Sequence, residues 1–239
     1  MTKLPFGNLF EIVIEYFCTE QFNYISMNIL LLGSTGNLGG AVLSQLLKDN
    51  HKVFALARNP KKLEPFKHNN LTIIKGDIYS KQTYFKHITN CDAVISTIGP
   101  KSSFKKTTIF SDTIPFLIEG VKNNNPNAVL FVTSSGGVQK DDPEIQNSFW
   151  YKHIGMRLLR SLYTDMKIME DILDQERTIK WVCIRPTYIR GNTTDKPYRV
   201  SDKYCPSGGW QISKHDLSDF IAKEIINQNY IGKKPVIAY

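Results

Sequence analysis

At 239 residues and 41% hydrophobic content, the chain is long enough for one large α/β domain and too short for two. A charged fraction of 22% argues against a disordered chain. The net charge of +8 favours anionic partners, but the basic residues are scattered, densest only in the doublets Lys61-Lys62, Lys105-Lys106 and Lys233-Lys234. No nucleic-acid-binding stripe is expected from that pattern, and most of the charge reads as solvated surface.

Residues 10–17 form an apolar run interrupted by Glu11 and Glu15, with only Lys3 as a positive start, which is unlike a signal peptide. Residues 1–26 are read as an N-terminal extension without an assigned role, and the domain as 27–239. From Asn28 onward the sequence alternates between strand-like and helix-like segments. Residues 28–32 are an apolar strand that ends at a glycine loop. Residues 38–48 follow with Leu38, Val42 and Leu46 beside Ala41, Leu43 and Leu47 on one broad helical face. Strands are expected at 52–57, 71–75, 93–97 and 128–133, with the intervening helical signal weakest at 60–67. A long helix over about 149–174 precedes a strand at 181–184; its stripe of Ile154, Leu158, Leu162, Met166, Met169 and Leu173 should face inward. Ser213 with Asp216 three residues on makes a capping-box-like start for a last helix, whose buried stripe is Leu217, Phe220, Ile221 and Ile225. Residues 234–239 add a final short strand.

Short apolar strands separated by helices, without period-two alternation, predict a parallel sheet buried on both faces: a single doubly wound Rossmann-type α/β domain that includes its own substrate pocket. No run of 18 apolar residues occurs, so no membrane-spanning helix is expected. Cys18, Cys91, Cys183 and Cys205 show neither CxxC pairing nor metal-ligand spacing, which fits free thiols in a reducing cytoplasm and no metal.

The segment GSTGNLGG places Gly33, Gly36 and Gly39 between a strand and a helix. In that position Gly33 permits the turn, Gly36 lets the backbone approach a pyrophosphate, and Gly39 lets the helix pack closely on the strand. Thr35, Asn37 and Leu38 complete the loop and the first helical turn, where amide groups and the helix dipole favour phosphate. A carboxylate at the end of the second strand would indicate NAD; this chain has Ala57-Arg58-Asn59 there, so Arg58 is read as a fork for the 2′-phosphate of NADP, with Lys61 or Lys62 assisting.

The three-residue glycine spacing, GDI at 76–78, STIG at 96–99, TSSGG at 133–137, IRP at 184–186 and ISKHDLSDF at 212–220 together resemble the atypical short-chain dehydrogenase/reductases. YTDMKIMEDIL with WVCIRP looks like their NAD(P)H-binding members, and ISKHDLSDF is similar to the flavin reductase/biliverdin-IXβ reductase group. The resemblance covers nearly all of residues 27–239. It implies that Asp77 and Ile78 lie beside the adenine (the local alternative for Asp77 being a helix N-cap), that Thr97 and Gly99 border the cofactor, that Ser134 hydrogen-bonds the substrate, and that Pro186 seats the nicotinamide. It also implies a histidine two residues after that proline, where this chain has Tyr188, a stacking group and a poorer proton donor near neutral pH.

Tyr163 and Lys167 form a YxxxK pair four residues apart on the long helix, in which a tyrosine acid is activated by the nearby ammonium. The motif recurs at Tyr230 and Lys234, and Lys167 has an alternative partner in Glu170. Two enzyme readings follow. One is NADPH-dependent hydride transfer to a flat conjugated acceptor such as flavin or quinone, with little acid catalysis; the other is carbonyl reduction by Ser134, Tyr163 and Lys167. A non-catalytic NADP-sensing regulator is the reading from another class. A small-molecule substrate and a monomer or homodimer are expected in each enzyme case.

Overall fold

A computed structural model of the chain describes residues 25–149, 151–191 and 197–239, and Tyr151 by its backbone alone. Among these, ten strands and six α-helices of five residues or more follow one another. They are β1 (Asn28–Leu32), α1 (Asn37–Lys48), β2 (Lys52–Ala57), β3 (Leu71–Lys75), α2 (Lys81–Ile88), β4 (Ala93–Ser96), α3 (Ile109–Asn124), β5 (Val129–Thr133), α4 (Pro143–Asn147), α5 (Arg160–Gln175), β6 (Lys180–Pro186), β7 (Tyr188–Arg190), β8 (Arg199–Ser201), β9 (Gln211–Ser213), α6 (Lys214–Asn227) and β10 (Val236–Ala238). The main sheet runs β3-β2-β1-β4-β5-β6-β10-β8, parallel throughout except for β8, which pairs antiparallel with β10. Strand order reverses between β1 and β4, and in such sheets the crevice outside the carboxyl ends at that reversal receives ligands.

Each face of the sheet has its own core. Leu30, Leu32, Val94 and Leu130 pack beneath α2, α3 and α5, while Ile29, Leu31, Ile95 and Phe131 pack beneath α1 and α6. Successive residues of β1 therefore serve opposite faces, which is why the central strands are apolar without interruption. The edge strand β3 departs from the expected two-sided burial: Thr72 and Ile73, which point to opposite faces, are both exposed, and Ile74 alone of its five residues is buried, since the strand has a neighbour on one side only.

The strands expected at 28–32, 52–57 and 71–75 form at those residues, and residues 60–63, where the helical signal was weak, make one 3₁₀ turn. Ser213 caps α6 as its spacing predicts, its Oγ accepting from the Asp216 amide at 2.9 Å, and Leu217, Phe220, Ile221 and Ile225 are buried beneath it. Asp165 of α5 accepts from the Phe110 and Ser111 amides, each at 3.0 Å, so one buried carboxylate satisfies the start of α3 and fixes the two helices together.

The long helix expected over 149–174 is not continuous. Residues 151–155 wind as a π turn, Leu159 leaves helical geometry, and α5 begins at Arg160. These breaks rotate the apolar stripe out of register, so Leu162, Met166, Met169 and Leu173 are buried while Ile154 and Leu158 are 46% and 57% exposed. The short strands β7, β8 and β9 were not foreseen either. Each has three residues, too few to carry a period. No helix among the described residues is long and apolar enough to cross a membrane. Cys91 and Cys183 are buried free thiols, as expected, and Cys18 lies outside the described residues.

Candidate functional site

The glycine loop is built by close backbone approach. Gly33 adopts a φ of +82°, and a Cβ there would lie 2.7 Å from the Thr97 carbonyl carbon; a Cβ on Gly39 would lie 2.1 Å from the Gly33 carbonyl oxygen. Neither position accepts a side chain. Gly36 differs, since a Cβ there would meet only the Gly33 oxygen, at 3.2 Å, and otherwise enters open space. Gly36 also precedes α1 without a side-chain cap, and the first turn of α1 carries no acidic residue. The positive end of this helix is thus left for an anion, whereas α6 is capped by Ser213 and carries Asp216 in its first turn.

Around this loop a cleft of about 450 Å³ brings together Gly33, Thr35, Gly36, Arg58, Lys62, Asp77, Ile78, Thr97 and Gly99. Asn37, Leu38 and Gly39 form the first turn of α1 behind it, and the Asn37 carboxamide oxygen accepts from Lys214 Nζ at 3.4 Å. Asp77 is not a helix cap: its Oδ1 accepts from the Tyr79 amide at 3.1 Å in a tight turn, and Ser80 takes the position before α2. Its other oxygen lies 3.8 Å from Arg58 Nε, a loose pair in which the arginine is 72% exposed. An exposed pair at that distance holds the guanidinium weakly. The fit to a phosphorylated dinucleotide rests on these observations: an unoccluded glycine, an uncompensated helix start, and two cations, Arg58 and Lys62, in the lining of the cleft.

Further along the carboxyl edge, Ser134, Tyr163, Pro186 and Tyr188 line a cavity of about 360 Å³ after β5 and β6. Its walls are largely apolar, with Ile145, Leu162, Met166 and Trp210 among the lining residues; Tyr188 is 71% and Trp210 41% exposed. Lys167 is not part of this cavity. It pairs with Asp171 one turn on, rather than with Glu170, and faces a neighbouring groove that Tyr163 also borders. Tyr163 itself is buried between the two.

Glu170 has a different role from the one its spacing suggested. It is fully buried and receives a hydrogen bond on Oε1 from Ser134 Oγ at 2.7 Å, another on Oε1 from Arg185 Nε at 3.0 Å, and a third on Oε2 from Arg185 Nη2. Arg185 Nη1 reaches Gln139 Oε1 at 3.2 Å. Burial disfavours the guanidinium, but the hydrogen bonds and charge of Glu170 outweigh it and raise the Arg185 pKa. Burial, reinforced by the Glu170 charge, pushes the Cys183 thiol well up, so it stays protonated beside the pair. A carboxylate gripped by arginine on both oxygens only accepts hydrogen bonds. The single proton of Ser134 is therefore spent on Glu170, and the serine can offer a ligand only its lone pairs. This buried Glu170–Arg185 pair was missed in the sequence, although Tyr163, Met166 and Glu170 fall on one helical face.

An isoflavone reductase-like protein of Olea europaea is 37% identical over 79 residues, covering 30% of this chain and 26% of that protein. The isoflavone reductase homolog A622 of Nicotiana tabacum is 37% identical over 121 residues, covering 47% and 36%. The chain thus matches about a quarter to a third of the length of these curated relatives. A Streptococcus pneumoniae structure described as a "putative NADH-flavin reductase" superposes with a TM-score of 0.73 at 18% identity, covering 89% of this chain and 99% of that one. A short-chain dehydrogenase/reductase of Veillonella parvula in complex with NADP gives 0.69 at 13% identity, covering 89% and 94%. At such identities the likeness speaks for the fold. The model of the NAD(P)H-binding family matches residues 33–228, from the first glycine of the loop to the end of α6, and the chain belongs to that family.

Proposed function

We propose that this protein is an NADPH-dependent oxidoreductase that reduces a flat conjugated acceptor, such as a free flavin or a quinone. The bound dinucleotide supplies a hydride, and water supplies the proton that completes the reduction. Gly33, Thr35, Gly36 and the first turn of α1 at Asn37, Leu38 and Gly39 hold the pyrophosphate, with Thr97 and Gly99 beside it. Asp77 and Ile78 flank the adenine, and Arg58 grips the 2′-phosphate in place of its loose contact with Asp77. Pro186 seats the nicotinamide, Tyr188 stacks on the acceptor, and Ser134 accepts a hydrogen bond from it. The protein works on this small molecule as a monomer or homodimer, in a reducing cytoplasm that suits its free thiols.

The observation that carries the reading is the commitment of Ser134 to Glu170 at 2.7 Å beside an aromatic-walled cavity. Carbonyl reduction asks this serine to donate to a carbonyl oxygen and Lys167 to stand by the reacting tyrosine; here the serine proton and the lysine are both engaged by carboxylates. Placement of donor and acceptor, rather than acid catalysis, is what the cavity provides. The test is an NADPH-oxidation screen across flavins, quinones and aldehydes. Turnover confined to flavins or quinones is expected. Turnover confined to aldehydes would transfer the assignment to carbonyl reduction, and NADPH binding without turnover of any acceptor would make the protein a sensor.

A further inference from the structure

A second, larger concavity adjoins the aromatic-walled cavity. It measures about 910 Å³ and lies between the segment from Val138 to Gln146 and the residues that open α5. Tyr163 and Ile145 border both spaces, so a ligand with its ring against Tyr188 and Pro186 could run past them into the groove. The groove is strongly basic: Lys140, Lys152, Arg157, Arg160 and Lys167 line it against one carboxylate, Asp141. That carboxylate is already engaged by the Tyr204 hydroxyl at 2.9 Å and by Gln139 Nε2 at 2.6 Å. Lys167 is paired with Asp171, but Lys140, Lys152, Arg157 and Arg160 have no ion-pair partner among the described residues.

Elsewhere on the surface lysines near carboxylates pair with them, as Lys223 does with Asp219 and Lys234 with Asp174. Four cations left together in one concavity repel one another unless an anion joins them. We propose that this groove is a subsite for an anionic tail of the acceptor, with a phosphate ester as the chemistry that the guanidinium forks of Arg157 and Arg160 match. The proposal rests on the reductase reading for the position of the ring, and it narrows that reading from any flat conjugated acceptor to one bearing a phosphate.

Riboflavin and its 5′-phosphate, flavin mononucleotide, share one ring and differ in this charge, so they test the groove directly. With NADPH as donor, kcat/KM should favour the phosphate ester by about ten-fold, the worth of one charge-assisted hydrogen bond. In the Arg157→Gln/Arg160→Gln double variant the ratio should fall towards one, while Arg157→Lys/Arg160→Lys keeps most of it. NADPH binding by each variant verifies that it is folded. Equal kcat/KM for the two flavins in the unaltered protein, or a ratio unmoved by the glutamine pair, would overturn the proposal. If neither flavin is reduced, the reductase reading fails for flavins, and quenching of flavin fluorescence decides the groove separately. Tighter binding of the phosphate ester, lost in the glutamine pair, sustains the subsite; equal binding removes it.

Discussion

At the Gly33 loop the ligand-facing surface is made by main-chain atoms, whereas at Ser134 it is held by side chains from three separate elements. The loop needs only β1, α1 and Thr97, and its requirements are steric: no Cβ fits at Gly33 or Gly39, and open space lies over Gly36. The serine end depends on Glu170, 36 positions along the chain, and on Arg185, another 15 positions on, meeting in a buried network. A main-chain site is specified by local spacing and is sensitive to added volume. A side-chain network is specified by tertiary packing and is sensitive to lost charge.

Substitutions can separate these two kinds of construction. The largest effect is expected at the loop. Gly36→Val should abolish NADPH binding while circular dichroism stays near that of the parent, because the added side chain enters ligand space rather than protein. Gly39→Val should instead perturb the fold, since its Cβ would collide with the Gly33 carbonyl. A folded Gly36→Val protein with unchanged NADPH affinity would remove the cofactor assignment. At the other end, Glu170→Ala strips the buried Arg185 of its partner and should cost about 3–5 kcal/mol in urea unfolding. A loss under about 1 kcal/mol would mean that water, rather than Glu170, satisfies the guanidinium.

Arg58 lies between these extremes, as an exposed side chain acting at the main-chain site. Arg58→Ala should weaken NADPH about ten- to a hundred-fold, the worth of a hydrogen bond to a charged phosphate, and leave NADH nearly unchanged. Equal losses for both dinucleotides would show that Arg58 does not read the 2′-phosphate.

The same contrast explains what could be read in the sequence. Apolar strand runs and the Ser213 capping pair depend on neighbours in the chain, so β1, β2, β3 and the start of α6 were legible to the residue. The glycine loop was legible for the same reason. The break near Leu159 was not, because the residues around it carry neither proline nor glycine beyond Gly155, and the helical stripe continues through it. Lys167 could be given either of two nearby carboxylates by helical spacing; burial decided, drawing Glu170 to Arg185 and leaving the exposed Asp171 to the lysine. Trp210 joined the cavity from a loop with no periodicity of its own.

The smallest expected effect tests the central claim most directly. Tyr163 borders the cavity that follows β5 and β6, but Ser134 and Lys167, the groups that would work with it in carbonyl reduction, are bound to Glu170 and Asp171. Turnover of a flavin or quinone by Tyr163→Phe, measured by NADPH oxidation with cofactor binding verified, should fall by only a few-fold. General acid catalysis by a side chain is worth about 10² to 10⁴ in rate. A loss of a hundred-fold or more at Tyr163, with NADPH still bound, would contradict hydride transfer without an enzymic acid.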